Sequence, residues 1–305
     1  MALDDDYLNY PHRRYGMDQD RYAWRKPEAR KRCAWPDNAP VAALIVVPLE
    51  FHMLNPAGKP FKHPGAMVTP YPDLRHYTTR DYGNRVGVFR ILDALKDAKL
   101  KAVFPINAVL LTRVKPLVQR ILADGHEIAA YGYSTDHIHW GGLDRAEERR
   151  WVQDTRAAFD AFGLKPRTWM SPARQQSFAT LDLIAEAGFD TCLDWEQDNV
   201  PIDMKTEHGL VRAVPLINEL DDRTLLIDRR QSEQEWATQI LAARDCLKAE
   251  GPRYGGQVLS FTLTPYVSGQ PFRTAPMRRL LKTLGADRDV WNASAAEIAD
   301  TAGQG

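Results

Sequence analysis

Cysteine, net charge and long apolar runs are all scarce in this 305-residue chain. The three cysteines, Cys33, Cys192 and Cys246, are widely spaced and odd in number, which suits neither a disulfide framework nor a zinc knuckle. They are expected to be free thiols in a reducing compartment. Lys plus Arg total 40 and Asp plus Glu total 40, so no net field draws in nucleic acid or an acidic membrane surface. A small, neutral or modestly polar substrate is the expected partner. No window approaches the roughly 18 apolar residues of a membrane span. MALDDDYLNYPHRRYG lacks the apolar core of a secretion signal, so the expected location is the cytoplasm. A Gly-x-Ser-x-Gly elbow, a phosphate-binding glycine loop and a dinucleotide fingerprint are also absent, which removes support for triad hydrolases, kinases and nicotinamide enzymes.

Residues 1–40, rich in Arg, Pro, Tyr and Trp without periodicity, are expected to form an arm on a single domain spanning 41–300. The arm's aromatics Tyr15, Tyr22 and Trp24 point either to docking on a neighbouring copy, giving a homo-oligomer, or to docking on the chain's own domain. VAALIVVPL, from Val41, is a continuous apolar run of strand-favouring residues, as for a strand buried on both faces. The segment from Asn55 to Arg80 carries Pro56, Pro60, Pro64, Pro70 and Pro72 and is expected to be an irregular loop covering a cleft. Beyond Asn84, helix-like and strand-like segments alternate. Six or seven such β-then-α units imply an α/β fold with a parallel sheet, closed as a barrel or doubly wound.

In either architecture chemistry gathers at the C-terminal ends of the strands. There stand Glu50, Asn107, the Tyr131–His139 segment, Ser171 to Arg174, Asp194 with Trp195, and Thr264 to Tyr266. Glu50 follows a long apolar run, so desolvation should raise its pKa toward the range of a general base; capping of the loop is its plainer use. His137-x-His139 is incomplete as a catalytic zinc site, which needs three protein ligands, so the pair is read as contacting substrate or lying in a loop. Asp194 beside Trp195 could orient a substrate or cap a loop. Trp169 belongs to a strand and suits either substrate or core.

The order RDYGNRVGVFRILDAL, GHEIAAYGYS, GLDRAEERRWV, LKPRTWMSPA, LIAEAGFDTCLDW and PYVSGQPFR resembles the polysaccharide deacetylase family, and most closely its allantoinase-like branch, over roughly residues 35–300. The resemblance implies a distorted (β/α)7 barrel, in one domain, that hydrolyses an amide, usually with a divalent metal such as zinc. Laid on this chain, the family's motifs put Glu50 at the base position and Phe51, Tyr131 and Thr135 at the three metal-ligand positions. Thr264 stands for the general-acid histidine and Met170 for the arginine. Phe cannot coordinate a cation, and neutral Tyr and Thr hydroxyls are poor replacements for imidazole, so no metal cofactor is expected.

Two readings follow. In the first, the protein is a metal-independent hydrolase of a carbon–nitrogen bond in a small amide, ureide or N-acetyl substrate. Glu50 and Asp194 would be catalytic, with Tyr131, Thr135, His137, His139, Trp169, Ser171, Arg174, Trp195 and Thr264 contacting substrate. Without a Lewis acid, hydrogen-bond donors must stabilise the developing oxyanion. In the second, the barrel is a non-catalytic relative that binds a ligand or protein partner through the same cleft.

Overall fold

All six residues of β1 (Val41–Val46) are fully buried, as the unbroken apolar run requires of a strand covered on both faces. The structure, a computed structural model, describes residues 19–54 and 74–304. Around β1 lie β2 (Val103–Ile106), β3 (Glu127–Ala130), β4 (Thr168–Trp169), β5 (Thr191–Cys192), β6 (Ile202–Thr206), β7 (Gly209–Ala213), β8 (Gln257–Thr262) and β9 (Val290–Asn292). Their order in the sheet is β6-β7-β5-β4-β3-β2-β1-β8, with β9 on the first half of β1. All neighbours are parallel except the β6–β7 hairpin. Seven parallel strands thus run from β7 round to β8. Among the described residues no ladder joins those two ends; they meet through Val258 N–H to Asn199 O (2.8 Å) and Ile217 N–H to Ser260 Oγ (2.9 Å). This is a distorted barrel of the expected strand number.

The pleat separates two cores. Ala42, Leu44, Val46, Ala129, Tyr131, Met170 and Leu193 pack in the interior. Val41, Ile45, Ala130, Trp169 and Cys192 pack outward with the helices. Trp35 of the arm donates its Nε1–H to Gln257 O at the start of β8 (3.2 Å), and Arg21 holds both oxygens of Asp182 at 2.6 Å.

Two local expectations change. Helical structure is present ahead of the alternation expected beyond Asn84: a helix at Leu74–Tyr82 passes through a π turn at Gly83–Gly87 into Val88–Ala98. All five prolines that argued against regular structure precede Leu74, so the segment 74–80 is helical; residues 55–73 and 1–18 lie outside the described residues. The hairpin strand β6 was not expected, because Asp203 and Lys205 alternate with Met204 on a half-exposed edge.

The π turn serves a close approach. A Cβ on Gly87 would stand 2.0 Å from Pro265 O, so only glycine lets the helix rest on the turn after β8. Gly87→Ala is expected to lower stability by about 1–3 kcal/mol through overpacking, read as a fall in urea midpoint against Val86→Ala on the exposed side. An unchanged midpoint would show that the turn can yield.

Candidate active site

At the C-terminal end of β1 the backbone is clamped before any side chain acts. Asn107, one residue past β2, accepts Phe51 N–H at 2.8 Å and donates to Tyr131 O, tying the ends of β1, β2 and β3. Asn84 of the π turn donates to Glu50 O at 2.9 Å. Thr135 Oγ1 donates to Phe51 O at 2.7 Å. The result fixes Glu50 and Tyr131 on rigid strand ends.

The Glu50 carboxylate is nearly enclosed. Oε1 accepts from Arg223 Nη1 (3.0 Å) and from the Tyr131 hydroxyl (3.1 Å), and Oε2 meets His52 Nε2 at 3.3 Å. Buried Arg80 lies 5.8 Å above the Tyr266 ring and adds a second positive charge nearby. Burial by itself would raise the Glu50 pKa, but Arg223, then the His52 hydrogen bond and charge, then Arg80, outweigh it and hold the carboxyl far below the usual range. The expectation of a raised pKa was therefore wrong in sign: the desolvation is real, but a cation answers it. His52 is pushed down by its own burial against the pull of Glu50. Burial, with Glu50 next, raises the phenols of Tyr131 and Tyr266, so both stay protonated; the Tyr131 hydroxyl donates to Glu50. A carboxylate, an arginine and a phenol hydroxyl converge here, a set able to hold a carbonyl and move a proton.

Beside this cluster lies a carboxyl that sequence reasoning did not single out. Asp222 is fully buried; its Oδ2 accepts Thr264 N–H (2.7 Å) and the Ser268 hydroxyl. Oδ1 and Thr264 Oγ1 are both buried without a formed hydrogen bond, and the Thr264 hydroxyl is near enough to steady the Asp222 charge. Burial first, and the Asp221 charge second, push Asp222 up to about 7.

Several anticipated contacts are not in this cluster. His139 is in the core, where Nδ1 meets Glu148 Oε1 at 2.8 Å and the ring stands edge-on to Trp169. Glu148 also accepts from Ser177 and Thr180. A fully buried imidazole with a carboxylate nine residues on is a structural pair, not a substrate contact. Trp169 points to the helix layer, opposite to Tyr131, and donates Nε1–H to Ser171 Oγ at 2.8 Å, so both side chains are consumed in packing. His137 sits between Tyr133 and Trp151 with Ser134 Oγ 2.8 Å from Nδ1. Arg174 donates to Leu216 O and to Asn218 Oδ1.

Asp194 joins strand ends instead of meeting Glu50. Oδ1 accepts Ser171 N–H (2.8 Å), Oδ2 accepts Gln176 Nε2 (2.6 Å), and Trp195 Nε1 donates to Gln176 Oε1 (2.9 Å). Loss of water raises its pKa, with Ser171 and Gln176 opposing. Thr264 is fully buried. Tyr266, at the strand end that the sequence selects, does join the cluster, whereas Arg223, His52, Arg80 and Asn84 were missed as site residues; they lie in loops or helical turns with no motif to mark them.

The metal that the family pattern implies does not fit. Phe51 lies under the Arg113 guanidinium (4.7 Å to the ring centre), and the Tyr131 and Thr135 hydroxyls donate to Glu50 and Phe51 O. Among the described residues no group of three His, Cys, Asp or Glu side chains could hold an ion.

Residues 71–192 match the family model for polysaccharide deacetylase. The match covers less than half of the chain, which is thus similar to that family over this segment. No curated protein matches the chain. Among solved structures, a "probable Polysaccharide deacetylase" from Pseudomonas aeruginosa PAO1 is 22% identical, with a TM-score of 0.77 over 91% of this chain and 97% of that one. A Puue allantoinase is 21% identical, with a TM-score of 0.77 over 91% of this chain and 96% of that one. At these identities the likeness is one of fold: the barrel described above is shared with both. No helix among the described residues is long and apolar enough to cross a membrane.

Proposed function

We propose that the chain hydrolyses a carbon–nitrogen bond of a small amide, ureide or N-acetyl substrate without a metal, with Glu50 as the base. The reading is carried by the Glu50 carboxylate, enclosed at the end of β1 and met by Arg223 and Tyr131. Held by Arg223, Glu50 is too weak a base to activate water. A substrate carbonyl that draws Arg223 and the Tyr131 hydroxyl onto its oxygen removes the restraint, and burial then raises the freed carboxylate's basicity. Water adds to the carbonyl carbon as Glu50 takes its proton; the carbon–nitrogen bond breaks, and Glu50 returns that proton to the leaving nitrogen. Arg223 and Tyr131 supply the charge stabilisation a metal would otherwise give. The cytoplasm suits the free cysteines, of which Cys246 is exposed.

One observation favours the second reading, a barrel that binds without turnover: Glu50 is already neutralised by an arginine. A hydrolysis screen of allantoin, cyclic imides and N-acetyl sugars, with and without chelator, separates the two. Turnover that ignores chelator and falls about 100-fold or more in Glu50→Gln is expected. Chelator-sensitive turnover would overturn the metal-free chemistry, and no turnover at all would leave the binding reading.

A further inference from the structure

Away from the Glu50 cluster, the arm and the segment leading into β6 enclose a cavity of about 550 Å³, within the size range of small-molecule sites. Its walls carry six basic side chains, Arg21, Arg25, Arg30, Lys31, Lys205 and Arg212, against two carboxylates, Asp198 and Asp203. In a chain with no net charge, that is a local excess of four positive charges. The wall carboxylates are already engaged, Asp198 with Arg30 and Asp203 with Arg212 at 2.6 Å, while Arg21 is satisfied by Asp182 from outside the cavity. Arg25 and Lys31 make no ion pair among the described residues.

Two buried polar atoms of the walls are also unpartnered, the donor Arg30 Nε and the acceptor Gln197 Oε1. Buried polar groups ordinarily find partners, so these two mark a wall whose polar atoms the chain itself does not fully satisfy. Trp24, 69% exposed, adds an apolar ring to the same wall. A large exposed indole is unfavourable in isolation, yet beside unpaired cations it makes a platform for a planar anion.

We propose that this cavity binds a planar organic anion of about mononucleotide size, its ring on Trp24 and its phosphate or carboxylate on Arg25 and Lys31. The site is distinct from the Glu50 cluster and does not depend on the hydrolase reading. Because its cations are exposed, binding is weakened by salt.

Isothermal titration of the full chain with AMP, orotate, adenosine and inorganic phosphate tests it. AMP or orotate should bind at one site, which tells phosphate from carboxylate as the preferred head; adenosine and free phosphate should each bind at least about tenfold more weakly. Trp24→Ala and the double variant Arg25→Glu, Lys31→Glu should each weaken the preferred anion by about tenfold or more, with circular dichroism unchanged, and Glu50→Gln should leave it unaltered. No binding of either anion would overturn the proposal. So would binding that survives the charge reversal, or binding that is lost in Glu50→Gln.

Discussion

Arg223→Met is expected to cost about 2–3 kcal/mol of stability at pH 7 and much less near pH 4. Removing one partner of a buried pair costs about 3–5 kcal/mol because a bare charge is left behind. Arg223 is itself one-third exposed, which lowers that figure. The pH dependence follows from Glu50. In the native protein its pKa is depressed below 4.5, so its stabilisation is present above that value and is lost as pH falls. Without Arg223 the burial effect dominates and the pKa rises instead, so the variant takes up a proton on acidification and regains ground. Urea unfolding of both proteins between pH 4 and 8 measures the gap. A gap that stays constant to pH 4 would mean that Arg223 contributes packing and not charge. Arg223→Lys, which keeps the charge but not the planar fork, should recover part of the loss.

The same residue shows what the sequence could and could not reveal. The apolar run of β1 and the strand-end rule together select Glu50 and Tyr131, and the structure brings these two into contact. Arg223 lies 173 residues beyond Glu50, in a π turn between β7 and the helix Glu233–Tyr254, where no local pattern distinguishes it from a surface arginine. Its charge reverses the pKa shift that burial alone predicts. Local sequence gives the desolvation of a group but not the distant counter-charge.

His137-x-His139 illustrates the opposite error. Two histidines beside an acid look chemical, yet Glu148 in the helix Arg145–Ala161 is near enough in sequence to have suggested a structural partner. Strand parity would also have separated Trp169 from Tyr131. In register Ala130 pairs with Trp169, so Tyr131 lies level with Met170, and side chains on successive residues face opposite sides. Tyr131 and Met170 face the interior, whereas Trp169 faces the helices. The alternating barrel was legible because it repeats; the polar cluster was not, because its members are gathered from several connections far apart in the sequence.

Asp222→Asn is expected to make the protein more stable than the unsubstituted chain at pH 8 and to flatten the pH dependence between about 5 and 8. Asp222 is raised from 3.8 to about 7 in the fold. A raised carboxyl binds its proton more tightly when folded, so stability is highest where both states are protonated. It declines as pH climbs from about 4 to 7, and the full penalty stands above 7. At about 1.4 kcal/mol per pKa unit that penalty is on the order of 4 kcal/mol, part of it shared with Asp221, whose charge couples to the same proton. The packing agrees with a neutral acid: a proton on Oδ1 gives Thr264 Oγ1 a donor, and both unpartnered atoms are satisfied at once. An asparagine reproduces this arrangement without a proton, its amide oxygen accepting from Thr264 N–H and Ser268 and its NH₂ facing Thr264 Oγ1. Unfolding midpoints across pH 5–9 should therefore diverge, with the variant ahead at high pH. Parallel curves would show that Asp222 keeps its charge in the fold. A variant less stable at every pH would show that the carboxylate's bonds to Thr264 and Ser268 outweigh the cost of burying it.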